Sequence, residues 1–235
     1  MIRNFVVVFI IMCCCQNLLA QGNHISIGIG PSLIYSDNSG IYRDFSFKIQ
    51  PSITFSFSQQ LSENVALRGS IGAQNFNSGD YYILRLNNLI NWGNKDQAFG
   101  FKGRGYFADV MPIFTTNPNS SGMLNSSLQF YAGLGFGLMF VEREQVTLKN
   151  GVVKDGVLIN GNIISSNENS LIPYVPIRTG ISTNLSGDWD FALEFVLMTT
   201  LSSELDGNNI KAKLLTPDMS GQIQFVVKRY FGSPW

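Results

Sequence analysis

All three cysteines of this 235-residue chain stand together at Cys13, Cys14 and Cys15, and none follows them. A chain cut downstream of that cluster carries no thiol, which excludes a disulfide scaffold, a thiol nucleophile and a cysteine metal site together. Histidine occurs once, at His24, so imidazole acid–base chemistry has a single candidate. That candidate opens the first strand and reads as an ordinary strand-end residue, and no cofactor site is expected. Charge is sparse and balanced, with sixteen basic and sixteen acidic residues, so no basic face is available to recruit nucleic acid. Beyond residue 20 no apolar run approaches the twenty residues that a helical membrane span needs.

The first twenty residues differ from the rest. Arg3 is their only charge, Phe5 to Met12 is unbroken apolar sequence, and Leu18-Leu19-Ala20 precedes Gln21. This is the layout of a signal peptide, 1–20, followed by one domain over 21–235. The cysteine triplet offers a lipoprotein signal as the alternative, against which Met12 or another cysteine stands before each candidate.

What the mature part has in quantity is alternation. From Phe45 to Ser58 every odd position is apolar or proline and every even position is polar, a run that chance would give about once in 10⁴ windows. Its length exceeds an ordinary strand and suits a tilted membrane strand. The same period returns in Ile25 to Tyr35, Leu67 to Gln74, Leu128 to Phe140, Trp189 to Thr200 and Ser220 to Phe231. Further strands are expected over Lys102–Phe114, where the two faces are not distinguished, and over Tyr174–Asn184. The expected fold is therefore all-β: an antiparallel up-and-down transmembrane β-barrel of about eight strands. Ten strands is the alternative, if the insert marked by Asn150-Gly151, Asp155-Gly156 and Asn160-Gly161 joins the wall instead of projecting as a loop hairpin.

Periodicity does not say which row faces in, and a soluble barrel alternates as well. The polar rows decide in favour of a membrane, because Ser, Gly, Gln and Thr fill a narrow tube but make a poor water-facing surface. Phe45, Phe57, Phe140, Trp189 and Phe231 lie near strand ends, as interfacial girdles do. Short and long links alternate, so the segments Phe76–Phe101, Glu142–Leu171 and Leu201–Asp218 are expected outside and both termini in the periplasm. Pro31, Pro51, Pro173 and Pro176 are expected at bulges or bends, since a closed barrel offers no edge to shelter them.

Lys48, Arg68, Arg178, Asp190 and Glu194 fall in polar rows and are expected to point into the lumen. Counting back from the Leu185–Asp188 turn brings Arg178 nearly opposite Glu194, as an interior ion pair that plugs and braces a barrel of this size. A proton or ion path is the functional alternative. Glu204 and Asp206 supply two loop carboxylates, read as solvating the loop in preference to binding a divalent ion.

Taken with Gly28-Ile29-Gly30, Pro51 to Phe57, Asn64 to Gly69, Tyr131 to Gly137, and Trp189 to Glu194 leading into Leu205-Asp206, the order of features resembles the small outer-membrane barrels of Bacteroidota that include the PorG component of type IX secretion. Ser36-Asp37-Asn38 and Glu204-Leu205-Asp206 match that family's acidic loop motifs only in part. The resemblance implies an outer-membrane location, contact with lipid and with periplasmic or outer-membrane proteins, and a non-enzymatic role as an anchor in an envelope assembly. A passive pore or ligand-binding barrel is the alternative.

Overall fold

A computed structural model describes residues 23–38, 48–62, 64–79, 86–116, 128–154, 157–183, 188–208, 215 and 217–231. The segment 1–20 read as a signal peptide, together with Phe45 and Phe47, lies outside these residues. Nine strands follow in order: β1 (Asn23–Tyr35), β2 (Gln50–Ser62), β3 (Val65–Asn77), β4 (Gly100–Thr115), β5 (Leu128–Leu134), β6 (Phe136–Lys154), β7 (Val157–Thr183), β8 (Trp189–Thr200) and β9 (Met219–Phe231). One helix, α1 (Leu86–Gly93), lies between β3 and β4.

Each strand pairs antiparallel with its neighbours, and β1 pairs with both β2 and β9, so the sheet closes on itself. The nine strands make eight staves. β5 and β6 share one line of pairing to β7, since Leu134 faces Ile177 and Gly137 faces Tyr174 in the same register, and only Gly135 separates them. Gly135 still donates its N–H to the Pro176 carbonyl at 3.1 Å. The ten-stranded alternative falls for a related reason: the insert adds no stave, because β6 and β7 run straight on past the rim as one hairpin, paired to Lys154 and Val157. β6 keeps β4 as a neighbour up to Val146. The eight residues beyond it reach about 25 Å further at strand rise.

The faces sort as a membrane barrel requires. Phe55, Ile71, Phe130, Leu193 and Phe225 are exposed, each by 47% or more, while Ser52, Thr54, Ser56 and Ser70 are buried. No helix among the described residues is long and apolar enough to cross a membrane. A closed ring with a greasy outside and a filled inside is a transmembrane barrel of the outer-membrane type. Phe114, Trp189 and Phe231 sit exposed at the short-link end, and the Arg229 guanidinium lies over the Trp189 ring at 5.3 Å. An aromatic–cationic rim of this kind suits the headgroup layer.

The prolines correct the expectation of bulges. Pro31 faces Pro51 in unbroken β1–β2 register, and the register shifts among the described strands lie elsewhere, at Gln60–Ser62 and Lys149–Val153. Pro51 stands one residue into β2, before pairing to β3 begins at Ser52, and so takes no ladder bond away. Opposite, the β1–β9 ladder skips Gly30 and Pro31 and resumes in the same register at Ser32.

Candidate functional site

The lumen is stratified. Its short-link half holds charge, its middle holds amides on one side and apolar side chains on the other, and its outer end is capped by polar loops.

Glu194 on β8 organises the charged layer. Its Oε2 accepts from Arg68 Nη1 at 2.7 Å and from Tyr131 Oη at 2.7 Å, and its Oε1 accepts from Arg178 Nη1. Arg178 also reaches toward Asp109, at 3.6 Å, and Tyr174 Oη donates to the same Asp109 oxygen at 2.9 Å. Arg68 Nε donates to Ser58 at 3.2 Å. Lys228 lies over the Tyr131 ring at 4.3 Å and faces Asp190 across the β8–β9 pair. Among the described residues this layer therefore buries Arg68, Arg178 and Lys228 with Asp109, Asp190 and Glu194, three basic and three acidic side chains. Such balance lets ions sit in a dry tube without a net charge to solvate.

The placement of the sequence-predicted residues is direct. Arg178 and Glu194 meet diagonally, because the register sets Gly180 opposite Glu194 and Arg178 opposite Val196. Arg68 reaches the same carboxylate from the far wall, and Asp190 is buried near the short-link end. Lys48 is different: it precedes β2 at the outer rim and is half-buried. His24 is buried at the short-link end beside Tyr230, with ring centroids 4.8 Å apart.

Sequence reasoning missed Asp109, Tyr174 and Lys228 as members of the network. Asp109 was hidden because the inward row of β4 is mostly apolar, with Phe101, Phe107, Met111 and Ile113, while Lys102 and Arg104 occupy the outward row. The usual contrast between rows is thus blurred on this strand. A signal for the tyrosines exists in the glycines. Tyr131 faces Gly180, Tyr174 faces Gly137 and Phe107 faces Gly72 in direct cross-strand register. Each inward ring lies on the bare backbone of its neighbour, where an added Cβ would come within 2.4 Å of ring carbon. A narrow lumen admits large rings only where the opposite wall has no side chain.

In the middle layer Gln222 Nε2 donates to Gln74 Oε1 at 2.7 Å, and Gln224 Nε2 donates to Gln222 Oε1 at 2.7 Å and Thr54 at 2.8 Å. Opposite this amide chain Phe76, Phe101, Phe107, Met139, Ile172 and Met198 form the apolar core.

The outer cap corrects the solvated-loop expectation. Asp206 is wholly buried, and Glu204 remains exposed. Asn208 clasps Ala98 from both sides, accepting from its N–H at 2.9 Å and donating to its carbonyl at 2.8 Å. Asp206 accepts from the Asn208 N–H at 2.8 Å and from the Asn38 N–H at 3.4 Å, and Asp218 accepts from the Leu205 N–H at 2.9 Å. Loops after β1, α1 and β8 are thus knotted together by the partial motifs Ser36-Asp37-Asn38 and Leu205-Asp206. Oxygens of Asp37, Asp206 and Asp218 lie within 4.8 Å of one another, the described residues best able to hold a divalent cation. Arg143 stands beside them. Its guanidinium is a permanent cation and supplies compensating charge.

No family model and no curated protein sequence matches the chain. Solved structures do resemble it in shape. The attachment invasion locus protein Ail of Yersinia pestis is 12% identical, with a TM-score of 0.47 over 90% of this chain and 100% of that one. Neisserial surface protein A gives 12% identity and a TM-score of 0.47 over 89% and 97%. The N-terminal β-barrel domain of Pseudomonas aeruginosa OprF gives 9% identity and 0.41 over 88% and 98%.

Proposed function

We propose that this chain is a sealed, non-enzymatic outer-membrane barrel that holds an external projection for an envelope assembly. The filled lumen carries this reading. Arg68, Arg178, Met139, Tyr174 and Met198 are each at least 98% buried and fill successive levels of the tube, which favours a plug and a brace over a water path. The projection is the part of the β6–β7 hairpin beyond Val146, whose Val152 and Ile163 stand more than half exposed on strand residues that pair only with each other's strand. Exposed apolar side chains on an unpaired strand edge are what a partner strand or surface engages.

The resemblance to the Bacteroidota barrels that include PorG makes type IX secretion components the first partners to look for. The test is site-specific photo-crosslinking in intact cells, with the crosslinker at position 152 or 163 and, as control, at the lipid-facing position 193. Protein adducts from the hairpin positions and none from position 193 are expected. Adducts from neither would remove the anchoring role. The competing pore reading predicts stable current steps from the purified chain in planar bilayers, and a sealed tube gives none.

A further inference from the structure

The lipid-facing wall carries a concavity near its outer rim. Pro31 and Pro51 stand opposite each other on β1 and β2, and Ala73 lies a diagonal step away on β3, beside Ile53, so these three short side chains lower the wall. Ile29, Ile53 and Phe225 rise around it, leaving a groove of about 940 Å³. At one end the groove meets Arg104, in outward register on β4 with Asn75 of β3. Arg104 Nε donates to Asn75 Oδ1 at 3.2 Å and Nη1 donates to Tyr106 Oη at 3.2 Å. Both partners line the groove, so the guanidinium is held on its side although Glu142 faces Arg104 from β6. Lys102, two residues nearer the rim, is exposed on the same outward row.

A charged head at the edge of an apolar wall sits at headgroup depth, where lipid phosphates are its natural counter-ions. Guanidinium is also the side chain best shaped to grip a phosphate through paired N–H groups. A second outer hollow, of about 580 Å³ around Gly69, Ile71 and Ala108, lies on the same wall and has no cation among its lining residues. It suits any acyl chain, whereas the first suits one with a particular head.

We propose that the groove between β1 and β4 seats one anionic lipid, its acyl chain across Pro31, Pro51 and Ala73 and its phosphate on Arg104. The proposal rests on the wall being lipid-facing. A chain that stayed folded and monomeric in water without detergent would remove that premise before any lipid was tested.

The test is native mass spectrometry of the full chain released from nanodiscs of phosphatidylcholine doped with phosphatidylglycerol of the same acyl chains. Wild type should retain phosphatidylglycerol in preference by about fivefold, the worth of one cation near a membrane surface. Arg104→Ala should abolish the preference, while Lys154→Ala, which removes an exposed cation from the hairpin end beyond the rim, should leave it intact. Ala73→Trp should reduce retention of both lipids by filling the floor. Heat-modified gel mobility checks that each variant is folded. Equal preference in wild type and Arg104→Ala, or retention untouched by Ala73→Trp, would overturn the assignment. So would a protein dimer lost on Ala73→Trp, which would give the groove to a second copy of the chain.

Discussion

Glu194 accepts from Arg68, Tyr131 and Arg178 at once, so removing it takes the shared carboxylate from two buried guanidinium groups. Breaking a buried pair from one side costs about 3–5 kcal/mol, whereas replacing the whole group by apolar residues of similar volume is often neutral. Glu194→Ala should therefore lower the unfolding free energy of the vesicle-inserted barrel by that order, seen as a lower urea midpoint. The triple variant Arg68→Met, Arg178→Met, Glu194→Leu should recover most of the loss. An unchanged midpoint in the single variant would show that the ions do not brace the fold. Gly180 is the second sensitive position, because an added Cβ would come within 2.5 Å of the Tyr131 hydroxyl. Gly180→Ala should cost about 1–3 kcal/mol as overpacking, and Tyr131→Leu in the same chain should relieve it, read from the same unfolding curves.

At the scale of elements, each stave is a two-sided object whose faces have different solvents. Phe55 looks at lipid from the middle of β2 while Thr54 and Ser56 are buried in the lumen. Phe55→Arg should cost about 2–4 kcal/mol of barrel stability near the bilayer centre, falling toward zero for the same change at a rim position. A flat depth profile in folding titrations would contradict the lipid-facing assignment. The cap is a separate element built from loops. Because Asp206 accepts the Asn38 and Asn208 N–H groups and Asn208 holds Ala98, Asp206→Ala should speed hydrogen exchange at residues 38, 98 and 208. Exchange within β1 and β8 should stay slow, since their ladders do not depend on the cap. A slowed or unchanged cap would mean that the loops are held by other contacts.

At the scale of the molecule, the tube is closed and filled, so the purified chain should give no stable conductance steps in planar bilayers; regular steps would overturn the sealed barrel. Its stave count and its inside and outside were legible in the sequence, because a period-two pattern is a local property that each strand writes for itself. Phe45 to Ser58 needs no neighbour to show which residues share a face. The meeting of Arg178 with Glu194 was legible to within a diagonal step, since one short turn joins their strands. What the sequence could not place was anything set by register around the whole ring. Arg68 reaches Glu194 from the opposite wall, Asp109 joins from a strand whose two rows are hard to tell apart, and Asp37 meets Asp206 and Asp218 across loops far apart in the chain. Closure of the sheet decided those contacts: pleating fixes which side a residue takes, but only the completed circle fixes what it faces across the lumen.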